Sequence, residues 1–178
     1  SAGGSNVAAS ALLKVADENT GTEAGARALL GAAGQLYTDN KLDEAKTSFQ
    51  RFISEYPESK LLGQAKYGLA VCLEAQGKNA EAITAYGEVA NRFQDENVMA
   101  PAKLALGRLY ETEKKLEQAR DAYMDIARDA RSGSTLGAEA QARLMDLLQK
   151  HPDLRPKPSA PAAGRSPFMP APASVPQQ

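Results

Sequence analysis

Tryptophan is absent from this chain of 178 residues, and aromatic side chains make up only 6% of it. A core built around large rings is out of reach, so small side chains must pack closely. A single cysteine, Cys72, excludes an internal disulfide and a cysteine-only metal cluster. A single histidine, His151, removes most hydrolytic and metal chemistries. No apolar run reaches the roughly 18 residues that a membrane-spanning helix needs. Charge of one sign is missing too: 21 basic residues face 22 acidic ones, for a net charge of −1. Such a surface has no strong field to draw in nucleic acid or anionic lipid.

What the chain has is alanine, at 33 positions. Alanine is the best helix former and lets helices approach closely, which favours helix packed on helix. Composition divides the chain at His151. Eight of the ten prolines fall in 152–178, where they remove amide donors and fix φ, so neither helix nor sheet propagates. The chain is therefore expected to hold a helical domain over 1–151 and an extended, polyproline-like tail over 152–178. The tail carries about +2 charge, from three basic residues less Asp153. At the front, SAGGSN has no initiator Met and no basic-then-apolar leader.

The helical part repeats. Ala45, Ala82 and Ala119 are 37 residues apart, within LDEAKTSFQRFI, NAEAITAYGEVA and LEQARDAYMDIA. Four residues after each comes an aromatic (Phe49, Tyr86, Tyr123), and three further on an apolar residue (Phe52, Val89, Ile126). A second helical stretch precedes each: RALLGAAGQLY, KYGLAVCLEAQG and KLALGRLYETEK. Turns near Asn40, Gly77 and Lys114 separate the two, so each unit reads helix A, turn, helix B. Stepping back by 37 places Ala8, Leu12 and Val15 on a front helix over 7–16, a helix B without its helix A. Stepping forward places TLGAEAQARLMDLLQK as a final helix A. The expected order is B, three AB pairs, then A: eight helices, starting mid-repeat.

This pattern resembles the tetratricopeptide repeat over roughly residues 6–150. The resemblance rests on the small residue of helix A (Ala33, Ala70, Gly107), the helix B alanine and the aromatic after it. Pro57 sits where the family ends a repeat, whereas Gln94 and Arg131 take that place later. The period of 37 exceeds the family's 34, with the extra residues expected between helix B and the next helix A. In that respect the chain is similar to bacterial cell-envelope members. These include the lipoprotein of the β-barrel assembly machinery, the Tol-Pal coordinator and the ancillary subunit of the Sec translocon. The resemblance implies an all-α, right-handed solenoid of about eight antiparallel helices, with helix A on the concave side.

No catalytic or metal constellation emerges, and no cofactor is expected. His151 reads as a cation at a helix C-terminus, Cys72 as a buried structural thiol, and Gly31 to Gly34 as a close-packing stretch rather than a phosphate loop. By resemblance, the groove is lined by Arg27, Leu30 and Tyr37, by Gln64, Tyr67 and Glu74, and by Leu104, Arg108 and Glu111. Tyr and Arg are residue types in which binding energy concentrates. The Lys and Asn of the carboxylate-clamp pattern are replaced by Leu30, Gly34, Tyr67 and Val71, against a receptor for acidic C-terminal peptides. The expected function is a non-enzymatic scaffold binding a protein segment, in bacterial envelope assembly or translocation. The expected location is periplasmic or membrane-tethered through an anchor outside this chain, with a cytoplasmic location as the alternative. A second alternative is a self-assembling structural protein, homo-oligomeric through its N-terminal half-repeat or its tail. Phe168 and Met169, the one bulky apolar pair in the tail, are expected to anchor it on helical surface.

Overall fold

The computed structural model describes residues 2–93, 96–129 and 135–155, with side chains described over 8–93, 97–128 and 135–155. Most of the tail, including Phe168 and Met169, lies outside the described residues. Within them the chain forms eight α-helices and no strand: α1 (Ala2–Glu18), α2 (Glu23–Thr38), α3 (Leu42–Glu55), α4 (Leu62–Ala75), α5 (Asn79–Arg92), α6 (Glu96–Thr112), α7 (Leu116–Asp129) and α8 (Thr135–Lys150). α2, α4, α6 and α8 are the A helices; α1, α3, α5 and α7 are the B helices.

The turn from each helix A to its helix B is built the same way three times. Asn40, Gly77 and Lys114 adopt φ of 59°, 73° and 59°. The amide after each one donates back five residues: Lys41 to Leu36 O, Lys78 to Leu73 O and Lys115 to Tyr110 O, at 2.8–2.9 Å. This is the left-handed helix C-terminus, in which a backbone of positive φ lets the chain reverse while the last carbonyls stay bonded. Asn and Gly tolerate that conformation; Lys114 adopts it at a cost.

Each helix packs on its neighbours in sequence, and every helix A also touches the next: α2 with α4, α4 with α6, α6 with α8. The B helices make no comparable backbone approach to one another among the described residues, although Arg51 of α3 pairs with Asp17 of α1 at 2.7 Å. Helices that crowd at one layer and splay at the other curve the stack, so the A helices form the inner layer. The small residues make this crowding feasible. Ala33, Ala70, Ala45, Ala82 and Ala119 are fully buried, and Gly107 is buried too. A Cβ on Gly107 would meet the Tyr123 ring at 2.2 Å, and one on Gly68 the Phe49 ring at 2.3 Å. Helix B rings thus press close against A helices where glycine leaves room. Cross-helix ion pairs follow the same period: Lys66 with Glu88 between α4 and α5, and Lys103 with Asp125 at 3.6 Å between α6 and α7.

Three features differ from the sequence-based expectations. α1 is longer than 7–16, because apolar periodicity marks only the residues that bury a face. Its packed face centres on Ala9, Leu13 and Ala16 rather than Ala8 and Val15, with Leu12 half-buried beside Gly31 of α2. α1 packs on α2 and pairs Asp17 with Arg51 of α3 at 2.7 Å, and Val15 is 42% exposed. At α8 the 37-residue register holds for packing, with Leu36, Leu73 and Leu147 all buried, but Arg143, which that spacing aligns with the buried Leu106, reaches the Tyr123 phenol instead. Finally, Pro152–Leu154 form a 3-10 turn. Leu154 is buried against the α7–α8 cluster, and Arg120 Nη1 donates to its carbonyl at 3.2 Å. The first residues after His151 therefore belong to the packed body.

Candidate functional site: the inner face of the A helices

Positions 30, 34 and 37 of α2, 67, 71 and 74 of α4, and 104, 108 and 111 of α6 recur at 37 residues. Spacings of three and four place each set on one helix face. The side chains do not contribute equally. Leu104 is only 3% exposed and packs with Ala119, Tyr123 and Leu147 in the third core cluster. It offers no surface to a ligand, which corrects its place among the groove residues. One turn on, Gly107 has no side chain, and the Tyr123 ring of α7 sits close against α6 there.

Glu74 and Glu111 are on the inner layer but already engaged. Glu74 accepts a hydrogen bond from the Tyr86 hydroxyl at 2.7 Å and one from Arg108 Nη2 at 3.4 Å. Glu111 accepts from the Tyr123 hydroxyl at 2.5 Å. Both tyrosines come from helix B, and their rings are almost wholly buried. Burial pushes each phenol well above its ordinary range, and the facing carboxylate adds to the shift. These carboxylates hold helix A to helix B before they can hold a ligand. Sequence inspection missed the pairing, although its signal was present: both pairs are twelve residues apart and recur at 37. Arg143, which bonds Tyr123 and Glu139, was also missed, because the 37-residue spacing aligns it with the core residue Leu106.

The remaining groove residues gather at the α2–α4 junction. Tyr37 is 38% exposed. Tyr67 is half-buried, with its ring centroid 5.6 Å from that of Tyr86 in a tilted arrangement. Desolvation raises the Tyr67 phenol, and Arg108, Glu74 and Tyr37 all lie close enough to act on it electrostatically. Leu30 is half-buried against the first core cluster. The side-chain position at Gly34, on the same face of α2, opens onto free space: no neighbouring side chain comes within 4 Å of where a Cβ would sit, a gap we call the notch. The surface is thus aromatic and apolar on the α2 side and ionic on the α6 side, where Arg108 pairs with Glu74.

Arg27 and Gln64 are exposed at the other end of α2 and α4. Arg27 pairs with Glu23 at 2.5 Å and lines a separate open cleft of about 630 Å³, with Thr22, Glu55, Tyr56 and Lys60. There the Tyr56 hydroxyl accepts from the Gly21 amide at 3.2 Å. Cys72 is fully buried, and desolvation pushes its thiol up to about 11, so it is a packing residue. No group of His, Cys, Asp and Glu among the described residues is arranged to hold a metal ion. No helix among them is long and apolar enough to cross a membrane.

A family model described as tetratricopeptide repeat matches residues 27–59 and 64–95, the α2–α3 and α4–α5 pairs. The two matches cover 65 of the 178 residues, and both segments are similar to tetratricopeptide repeats. The α6–α7 pair reproduces the turns and buried alanine of both and the tyrosine–carboxylate bond of α4–α5, so the solenoid continues through it. No curated protein matches the chain. Repeats of this kind are typically non-catalytic scaffolds for protein–protein interaction.

Proposed function

We propose that the inner face at the α2–α4 junction binds an extended segment of a protein partner. The observation that carries this reading is the surface of Leu30, Tyr37 and Tyr67 around the open notch at Gly34. Aromatic side chains fixed on packed helices present large contact area at low entropic cost, and a notch admits a partner's backbone or a compact side chain. The engaged carboxylates leave Arg108 neutralised, so apolar and stacking contacts dominate over charge. The long repeat, with its extra residues beside the B-to-A connections, supports an adaptor role in bacterial envelope assembly or translocation, in the periplasm or tethered to a membrane.

The test is selection of peptide binders from a random display library, followed by calorimetry on purified variants. Tyr37→Ala and Tyr67→Ala should each weaken binding at least about tenfold, or 1.4 kcal/mol. Gln50→Ala, on the exposed face of α3, should leave it unchanged. Binders that lose affinity with Gln50→Ala but not with Tyr37→Ala would refute the reading.

A further inference from the structure

We infer that the occupant of this notch is the chain's own proline-rich segment, 156–178, seated through Phe168 and Met169 so that it competes with outside partners. The inference rests on the inner face being a binding surface. Three observations support it. The segment carries seven prolines in 23 residues and one bulky apolar pair. A preformed polyproline helix loses little entropy on docking and is recognised by aromatic-lined grooves. Tyr37 and Tyr67 lie close to each other on this face, and the space off Gly34 in the turn before Tyr37 is open.

The second observation is direction. The A helices alternate with antiparallel B helices, so all A helices run the same way. Tyr37, in the last turn of α2, therefore lies at the same end of the stack as Lys150, the last residue of α8. The chain leaves that end, pinned by Leu154 and its bond from Arg120.

The third is reach. Helices pack at 8–10 Å, so three steps across the A layer, from α8 to α2, amount to about 30 Å. Residues 156–168 in polyproline conformation extend about 40 Å at ~3.1 Å per residue. Phe168 can therefore meet the α2–α4 junction of the same molecule without unfolding α8.

The experiment uses the full chain with a nitroxide on Ser166→Cys. Cys72 is buried with a thiol near 11, so the label goes to the introduced site. The amides of Gly34, Tyr37 and Tyr67 should lose most of their NMR intensity, while those of Gln50 and Ala80 on B helices should not. Gly34→Leu, which fills the notch from an open position, should restore the signals without lowering the melting temperature. Phe168→Ala should raise the affinity of display-selected peptides several-fold, because it frees a partly occupied site. Unchanged intensity at Tyr37 overturns the inference, and so does broadening seen only when labelled and unlabelled chains are mixed, which puts the segment on a neighbour. The two readings fail separately. Selected peptides that still depend on Tyr37, in a chain showing no broadening, leave the groove standing and remove only its internal occupant.

Discussion

The Tyr86 hydroxyl reaches from α5 to the Glu74 carboxylate on α4 at 2.7 Å, in a site where the ring itself is 1% exposed. One repeat later Tyr123 does the same to Glu111. A buried phenol must find an acceptor, and a carboxylate on the inner layer provides a strong one. The same bond ties helix B to helix A and withdraws the acid from the groove.

This pairing sets the alkaline limit of stability. Tyr86 and Tyr123 have folded pKa values raised above the ordinary phenol value near 10. A raised folded value contributes stability that is complete below the unfolded pKa and is lost as pH rises above it. The melting temperature should therefore hold below pH 10 and fall steadily above it. Tyr86→Phe should cost about 1.5–3 kcal/mol at pH 7, because the acceptor is charged. Its melting temperature should then fall less steeply above pH 10. A wild-type melting temperature constant from pH 9 to 11.5 contradicts the assignment.

Ala82 is fully buried where α5 crosses its neighbours, whereas Glu81 beside it is exposed. Ala82→Leu should cost about 1–3 kcal/mol through overpacking, and Glu81→Leu under about 0.5 kcal/mol. Urea denaturation midpoints decide it, and equal midpoints for the two variants would place the repeat register elsewhere.

Two glycines in helix interiors make opposite predictions. Gly87 has no atom within 4 Å of a built Cβ, while Gly107 faces the Tyr123 ring at 2.2 Å. Gly87→Ala should stabilise by roughly 0.5–1 kcal/mol, the helix-propensity gain. Gly107→Ala should destabilise, because a buried ring held by Glu111 cannot retreat and the overlap outweighs that gain. Thermal melts moving in the same direction for both would mean that Gly107 is not a contact point.

Lys114 occupies the left-handed turn position that Asn40 and Gly77 fill in the earlier repeats, at φ 59°. Lys114→Gly should relieve roughly 1 kcal/mol of strain, in part offset by the freer unfolded chain. The melting temperature should rise by a few degrees. A fall would show that the lysine is not strained there.

Much of this was legible in order along the chain. The helix B alanines and the rings after them are buried as their 37-residue spacing implies, and Asn40, Gly77 and Lys114 stand at the turns. The site was legible only in part. Leu104 has the periodicity of a groove residue and the burial of a core residue, since one helix face meets a neighbour along part of its length and solvent along the rest. Glu74 and Glu111 look like free charges until the partner phenols arrive from another helix.

Local chemistry sufficed for helix type and the order of units, and for helix length everywhere but α1, because 3.6-residue periodicity, alanine and turn backbone act over a few residues. Which inner-face side chains stay available was decided only by packing. The Phe49 and Tyr123 rings sit against Gly68 and Gly107 of the A helices. Packing of this kind buries Leu104, engages Glu74 and Glu111, and leaves Tyr37 and part of Tyr67 exposed. Such contacts join residues twelve to thirty-odd positions apart, beyond the reach of any local rule.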